Sequence, residues 1–162
     1  MLERAVANAG PLVALSLLDQ LDLLPSLFAE CWVPQAVFNE VAIAGIGKPG
    51  AQSLQDSGWL RCVCASILPD PLLIVELDAG AAEVISLARQ LSPCMAIINE
   101  RRARRIAQHV YGLPVKGTAG IVVEAQRRGL ISGVRPRLLK LRAAGYFIAG
   151  SVVAAACEAV GE

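Results

Sequence analysis

The sequence predicts an α/β fold built on a mostly parallel sheet, and three observations carry that prediction. Short apolar runs alternate along the chain with longer stretches whose apolar residues recur at helical spacing. One run, "CMAIIN" (94–99), is apolar from Cys94 through Ile98 without alternation, as expected of a strand covered on both faces. Strands and helices take turns throughout, the pattern of parallel strands joined by helical crossovers. With 162 residues, 55% of them hydrophobic, the chain is long enough to bury one sizeable core. No internal repeat or linker divides it, so residues 1–162 read as a single domain.

The elements follow in order. "RAVAN" (4–8) is a short strand that breaks at "NAGP", where Gly10 and Pro11 signal a turn into a helix with Pro11 at its first position. "LVALSLLDQLDLLPSLF" (12–28) is helical and breaks near Asp22 and Pro25. "CWVP" (31–34) is a second strand ended by proline, and "QAVFNEVAI" (35–43) a second helix. "WLRCVCA" (59–65) alternates like a strand, and "AGAAEVISLARQL" (79–91) combines strong helix formers with a 3.6-residue apolar period. After the apolar strand 94–99, "ERRARRIAQHVYG" (100–112) is a helix closed by Gly112. "LPVKG" (113–117) is a short strand, "AGIVVEAQRRG" (119–129) a helix with a glycine stop, and the Ala-rich segment 146–160 is helical.

Composition narrows the function classes. The formal net charge is +1, but its distribution is uneven: residues 1–98 carry four basic and ten acidic side chains, residues 99–162 eleven basic and four acidic. That asymmetry suits either two ordinary solvated surfaces or a basic face for a polyanion beside an acidic region for a cation. Five scattered cysteines point to reduced core thiols in a cytoplasmic protein, not a disulfide framework, and Cys62-x-Cys64 has the wrong spacing for a zinc knuckle. His109 is the only histidine, which argues against a His-based metal site or a Ser-His dyad. No targeting signal is visible, and the uncharged run 143–157 falls short of the ~20 residues that span a bilayer, so no membrane partner is expected. "GIGKPG" (45–50) matches a dinucleotide-loop pattern by letter only. It follows a helix instead of a strand, and Pro49 lacks one of the N–H donors a phosphate needs.

In an open parallel sheet the site lies beyond the carboxyl ends of the strands, near a reversal in strand order. The first strand ends at Asn8 and the apolar strand at Asn99-Glu100, while Glu40 and Glu83 sit on helices, Glu83 between Ala82 and Val84. An acid within an apolar helix segment is costly unless paired, hydrated or bound to a cation. Oxygen ligands converging from four elements suit a hard cation, Mg²⁺ or Mn²⁺. Each residue also has a local reading. Asn99 would cap a helix starting at Glu100, Glu100 would pair with Arg104 one turn on, and Asn8 would serve its turn. Glu40 and Glu83 would be solvated helix positions. Arg101, Arg102, Arg104 and Arg105 cover more than one helix face, so some are solubilising charge and some are placed to meet a phosphate backbone.

The segments "VANAGPLVAL", "LDLLPSLF", "VPQAVFNEV", "LDAGAAEVISLA", "AIINERRARRIA", "GLPVKGTAGIVVEAQRRGLI" and "VRPRLLKLRAAGYFI" follow one another in an order that resembles the PIN-like domain family, in its prokaryotic subgroup related to VapC-type toxins. The likeness spans residues 4–148. It implies a three-layer α/β/α sandwich with acids at the carboxyl edge of the sheet that bind Mg²⁺ or Mn²⁺ and support hydrolysis of RNA phosphodiesters. It also implies an antitoxin partner and a homodimer, for which the segment 146–160 is the candidate surface. Carried over, the four catalytic positions fall on Asn8, Glu40, Glu83 and Asn99, which leaves the metal-ligand charge to Glu40, Glu83 and Glu100, and Thr118 matches a subgroup motif at the rim of the site. For nucleic acid, Arg101, Arg102, Arg104 and Arg105 behind the strand end would suit RNA phosphates beside Thr118. The family's small hydroxyl after the first acid is Gly10 here.

Two of the four carboxylates are therefore amides. An amide oxygen can ligate Mg²⁺ but brings no charge and cannot act as a base, so the metal is expected to bind weakly or not at all. Two functions follow as expectations. One is a metal-dependent endoribonuclease, the toxin component of a toxin–antitoxin module, with weakened catalysis. The other is a nuclease-inactive PIN-fold protein that binds nucleic acid or a protein partner. A purely structural interaction module is a third class, supported only by apolar content.

Overall fold

The computed structural model describes residues 3–63 and 68–162. Strand β1 (Arg4–Ala7) is the spine of the sheet. It pairs with β2 (Glu30–Pro34) on one side and β4 (Met95–Ile97) on the other. Beyond them lie β3 (Leu60–Val63) and β5 (Val115–Lys116), giving five parallel strands in the order β3-β2-β1-β4-β5. Ala5, Val6 and Ala7 are buried, as are Met95, Ala96, Ile97 and Ile98, because helices cover both faces of these strands.

Those helices are α1 (Ala9–Leu17), α2 (Leu23–Leu27), α3 (Gln35–Phe38, running on as a π-helical turn over Asn39–Ile43), α4 (Ala51–Gln55), α5 (Pro71–Glu76) and α6 (Ala79–Gln90). They continue with α7 (Arg101–His109), α8 (Thr118–Arg127), α9 (Arg135–Ala143) and α10 (Gly150–Ala159). Helix α8 touches α1, α2 and α10, and α10 touches α9, whereas α6 packs with α3 and α5. Two helical layers thus enclose the sheet in the expected three-layer α/β/α sandwich. Leu12, Leu15, Ile85, Ile97, Ile98, Ile121, Leu138 and Leu141 are among its fully buried side chains. Among the described residues no helix is long and apolar enough to cross a membrane.

The differences from the sequence reading are local. Helix α1 begins at Ala9, not Pro11, because Asn8 caps it; Pro11 still falls in the first turn, where its missing N–H has no intrahelical partner to lose. Helix 35–43 is present, but its second half widens, with Ala44 N donating to Asn39 O at 2.7 Å. Strand 59–65 is found at Leu60–Val63, and its last two expected residues lie outside the described ones. Helices α4 and α5 are too short for a 3.6-residue period to show.

One stripe of the C-terminal apolar segment packs within the chain. Val153, Ala156 and Cys157 of α10 are buried, and the Glu162 carboxylate accepts hydrogen bonds from Val134 N and Arg135 N at the start of α9. Phe147, just before α10, is 86% exposed.

At the opposite, amino edge of the sheet, Glu30 bonds Arg4 at 2.7 Å and lies 3.4 Å from Arg61, whose guanidinium covers the Trp32 ring. The Arg4 hydrogen bond, opposed by desolvation and aided by Arg61, holds the Glu30 carboxyl below its ordinary value of 4.5. A lowered carboxylate contributes stability above its unfolded pKa and loses it as pH falls through the folded value. Glu30→Gln is therefore expected to flatten the acid limb of stability below about pH 4.5, read by urea midpoints from pH 6 to 3. An acid limb identical to that of the wild type would refute this.

Candidate functional site at the carboxyl edge

From β1 the sheet extends through β2 on one side and β4 on the other, so the strand order reverses between β1 and β4. That is where an open α/β sheet leaves a crevice beyond its carboxyl ends. Asn8 follows β1 directly, and its N–H donates to Ile97 O of β4 at 3.0 Å. Its Oδ1 accepts from Ala9 N at 2.9 Å, which caps α1.

Asn99, two residues past β4, has a different task from the helix cap expected of it. Helix α7 is preceded by Glu100 as N-cap, with no side-chain capping bond. The Asn99 side chain reaches across to α8 instead. Its Oδ1 accepts from Thr118 N at 2.7 Å and from the Thr118 hydroxyl at 3.1 Å. Its Nδ2 faces Thr118 Oγ1 at 2.8 Å and the Tyr146 phenol oxygen at 2.5 Å. The amide's orientation is fixed chemically, since a backbone N–H can only donate and the atom facing Thr118 N must be the oxygen. Thr118 is 3% exposed. Burial pushes the Tyr146 phenol above its ordinary pKa, and the bond with Asn99 partly opposes the shift.

Three glycines shape the walls. A β-carbon on Gly10 would lie 3.1 Å from the Tyr146 phenol oxygen and 3.5 Å from Asn99 Nδ2. One on Gly80, in the first turn of α6, would lie 3.5 Å from Asn8 Oδ1 and 3.6 Å from Asp78 Oδ1. One on Gly117 would lie 2.5 Å from Arg104 Nη1 and 3.0 Å from Asn99 Oδ1, so a side chain there would displace the guanidinium from this position. At this edge the structure thus sets Asn99 beside Thr118, Tyr146 and Arg104, and Asn8 beside Asp78.

The glutamates stand differently. Glu40 is exposed on the π-helical turn, and Glu83 is half-buried one turn beyond Gly80. Their helices are neighbours, since a Gly80 β-carbon would lie 3.4 Å from Val37 Cγ2. Glu100 is exposed, and the expected ion pair with Arg104 is not formed; Arg104 lies against Gly117 instead. Among the described residues no group of three or more His, Cys, Asp or Glu side chains is placed to hold a metal ion. Asn8 and Asn99 Oδ1 each accept a backbone N–H bond, and neither brings a negative charge to this edge.

The arginines divide by face. Arg102 is ion-paired with Glu76 of α5. Arg101, Arg104 and Arg105 share another face by helical spacing, with Arg101 and Arg105 exposed. Opposite them, Ala103 and Ala107 are buried, which anchors α7.

Sequence reasoning missed Asp78, Gly80, Gly117 and Tyr146. Asp78 had a signal: it stands three residues before Ala81, whose N–H its Oδ1 accepts at 2.8 Å, as an N-cap should. Tyr146 had none, being 47 residues from Asn99.

An open parallel sheet with polar side chains gathered at its switch point defines an α/β protein of the edge-site class. A family profile described as a PIN domain matches residues 4–162, and the chain belongs to that family. No curated protein matches it.

Proposed function

We propose that this chain is a PIN-fold protein that binds single-stranded RNA at the carboxyl edge of its sheet and has lost nuclease chemistry. One observation carries the reading: where the family resemblance places a metal-binding carboxylate, Asn99 presents a neutral amide held by Thr118 and Tyr146. Metal-assisted phosphodiester hydrolysis needs charge that holds a cation and a water of lowered pKa, and an amide supplies neither. The arginines on the outward face of α7 support phosphate binding, which needs no metal. An acidic antitoxin segment would compete for the same arginines.

A metal-dependent ribonuclease of the toxin type is the second reading, favoured by family membership and by Glu40 and Glu83 on neighbouring helices. A fluorescein-labelled 20-nucleotide single-stranded RNA separates the two. The proposal expects saturable binding by anisotropy in EDTA, and intact RNA after incubation with Mg²⁺ or Mn²⁺. Metal-dependent cleavage by the unmodified protein that disappears in Glu83→Gln would establish the second reading instead.

A further inference from the structure

We infer that Tyr146 is a gate on the crevice, its phenol oxygen occupying the place of a ligand's acceptor atom on Asn99. The ligand in this inference rests on the RNA reading; the gate rests on geometry alone. Asn99 Nδ2 has two hydrogens. Thr118 Oγ1 takes one at 2.8 Å, and the Tyr146 oxygen takes the other at 2.5 Å. A phosphate or base carbonyl oxygen would offer that second hydrogen the same acceptor chemistry as the phenol. Tyr146 reaches that position only because residue 10 has no side chain: a β-carbon there would stand 3.1 Å from the phenol oxygen.

The segment carrying Tyr146 closes α9 with a glycine C-cap. It lies in the connection between α9 and α10, opened by Gly145 at φ +89° and held by Tyr146 N donating to Leu141 O. The phenol's single bond to Asn99 is the polar contact that keeps the side chain seated. Its neighbour Phe147 is 86% exposed, so the connection sets one aromatic ring inside the crevice and one in solvent. An unpaired strand displacing the phenol would find an aromatic face for an unstacked base beside Arg104 and the arginines of α7. A duplex offers no free base face, so the gate favours single strands.

Two variants test the gate from opposite sides. Tyr146→Phe removes the competing oxygen and keeps the ring, and Gly10→Ala crowds the oxygen out. Each is expected to bind fluorescein-labelled decauridylate about 3- to 10-fold more tightly than the wild type, the factor one competing hydrogen bond is worth. Urea unfolding of both single variants and the double supplies a readout without RNA. Alanine is the better helix former, so Gly10→Ala should raise the midpoint in the Tyr146→Phe background and fail to do so in the wild type. RNA binding that is unchanged or weaker in both variants, with the wild type binding, overturns the gate and leaves the RNA reading standing. Additive midpoints show that the phenol does not press on residue 10 and overturn it too. Absence of binding by every protein, the wild type included, overturns the RNA reading and the gate's ligand with it.

Discussion

Replacing Asn8 and Asn99 together by aspartate is expected to give a protein that Mn²⁺ stabilises clearly more than it does the wild type and that cleaves RNA. Both changes conserve volume, so packing survives, but the two sites respond oppositely in chelator. Asn8→Asp sets a carboxylate beside Asp78, since both side-chain oxygens approach the same point at Gly80. Like charges so placed should lower the melting temperature by roughly 2–6 °C in EDTA, the effect of about 1–1.5 kcal/mol on a domain of this size. Asn99→Asp instead meets the Thr118 N–H, two hydroxyls able to turn and donate, and the nearby Arg104 guanidinium. Those donors favour the charged form and depress its folded pKa. That substitution should be tolerated at pH 7, its contribution present above about pH 4 and lost as pH falls through the lower folded value. Binding of Mn²⁺ to the folded double variant restores its melting temperature by mass action, and cleavage appears with it. Adding Glu83→Gln should abolish both gains. A double variant that neither responds to Mn²⁺ nor cleaves would show that this edge is not a disabled metal site.

The sheet and the two strand-end residues were legible because they depend on local sequence. The apolar run at 94–99 is satisfied by burial on both faces, the short strand at 4–8 breaks at "NAGP", and Asn8 and Asn99 stand where the two strands end. Helix α6 was legible from its period and good helix formers, and it runs over Ala79–Gln90 as expected from 79–91. What escaped were contacts between distant residues. As a local cap, Asn99 was a sound inference from the order strand, asparagine, helix. It failed because Thr118 and Tyr146, 19 and 47 residues away, offer the amide three partners. The Glu100–Arg104 pair was likewise sound from spacing, and it gave way to the space above Gly117. In the sequence Gly10 read as a turn residue, Gly80 as a helix residue and Gly117 as the end of a short strand. Only the folded chain shows that each is a place where a side chain from elsewhere comes close.

Neutralising two arginines of α7 should weaken RNA binding more than any other pair of surface changes. Arg101 and Arg105 are exposed, lie one turn apart on the face they share with Arg104, and form no ion pair with the described residues. A cation without a carboxylate partner keeps its full attraction for a phosphate. Arg102 differs: its guanidinium is committed to Glu76, and exposed pairs of this kind contribute only about 0–1 kcal/mol to stability. The two classes should therefore separate in a salt titration. Each phosphate contact to a single strand steepens the dependence of log K on log salt by about 0.7, so Arg101→Gln with Arg105→Gln should flatten the slope by about 1.4. Affinity at 0.1 M KCl should fall by roughly 10- to 100-fold, at about 0.7–1.4 kcal/mol per lost charge contact. Arg102→Gln should leave the slope unchanged. The double variant should melt as the wild type does, because Ala103 and Ala107, not the arginines, fix α7 to the core. An unaltered slope in the double variant would mean that RNA meets another surface of the protein and that this face of α7 is solvated charge.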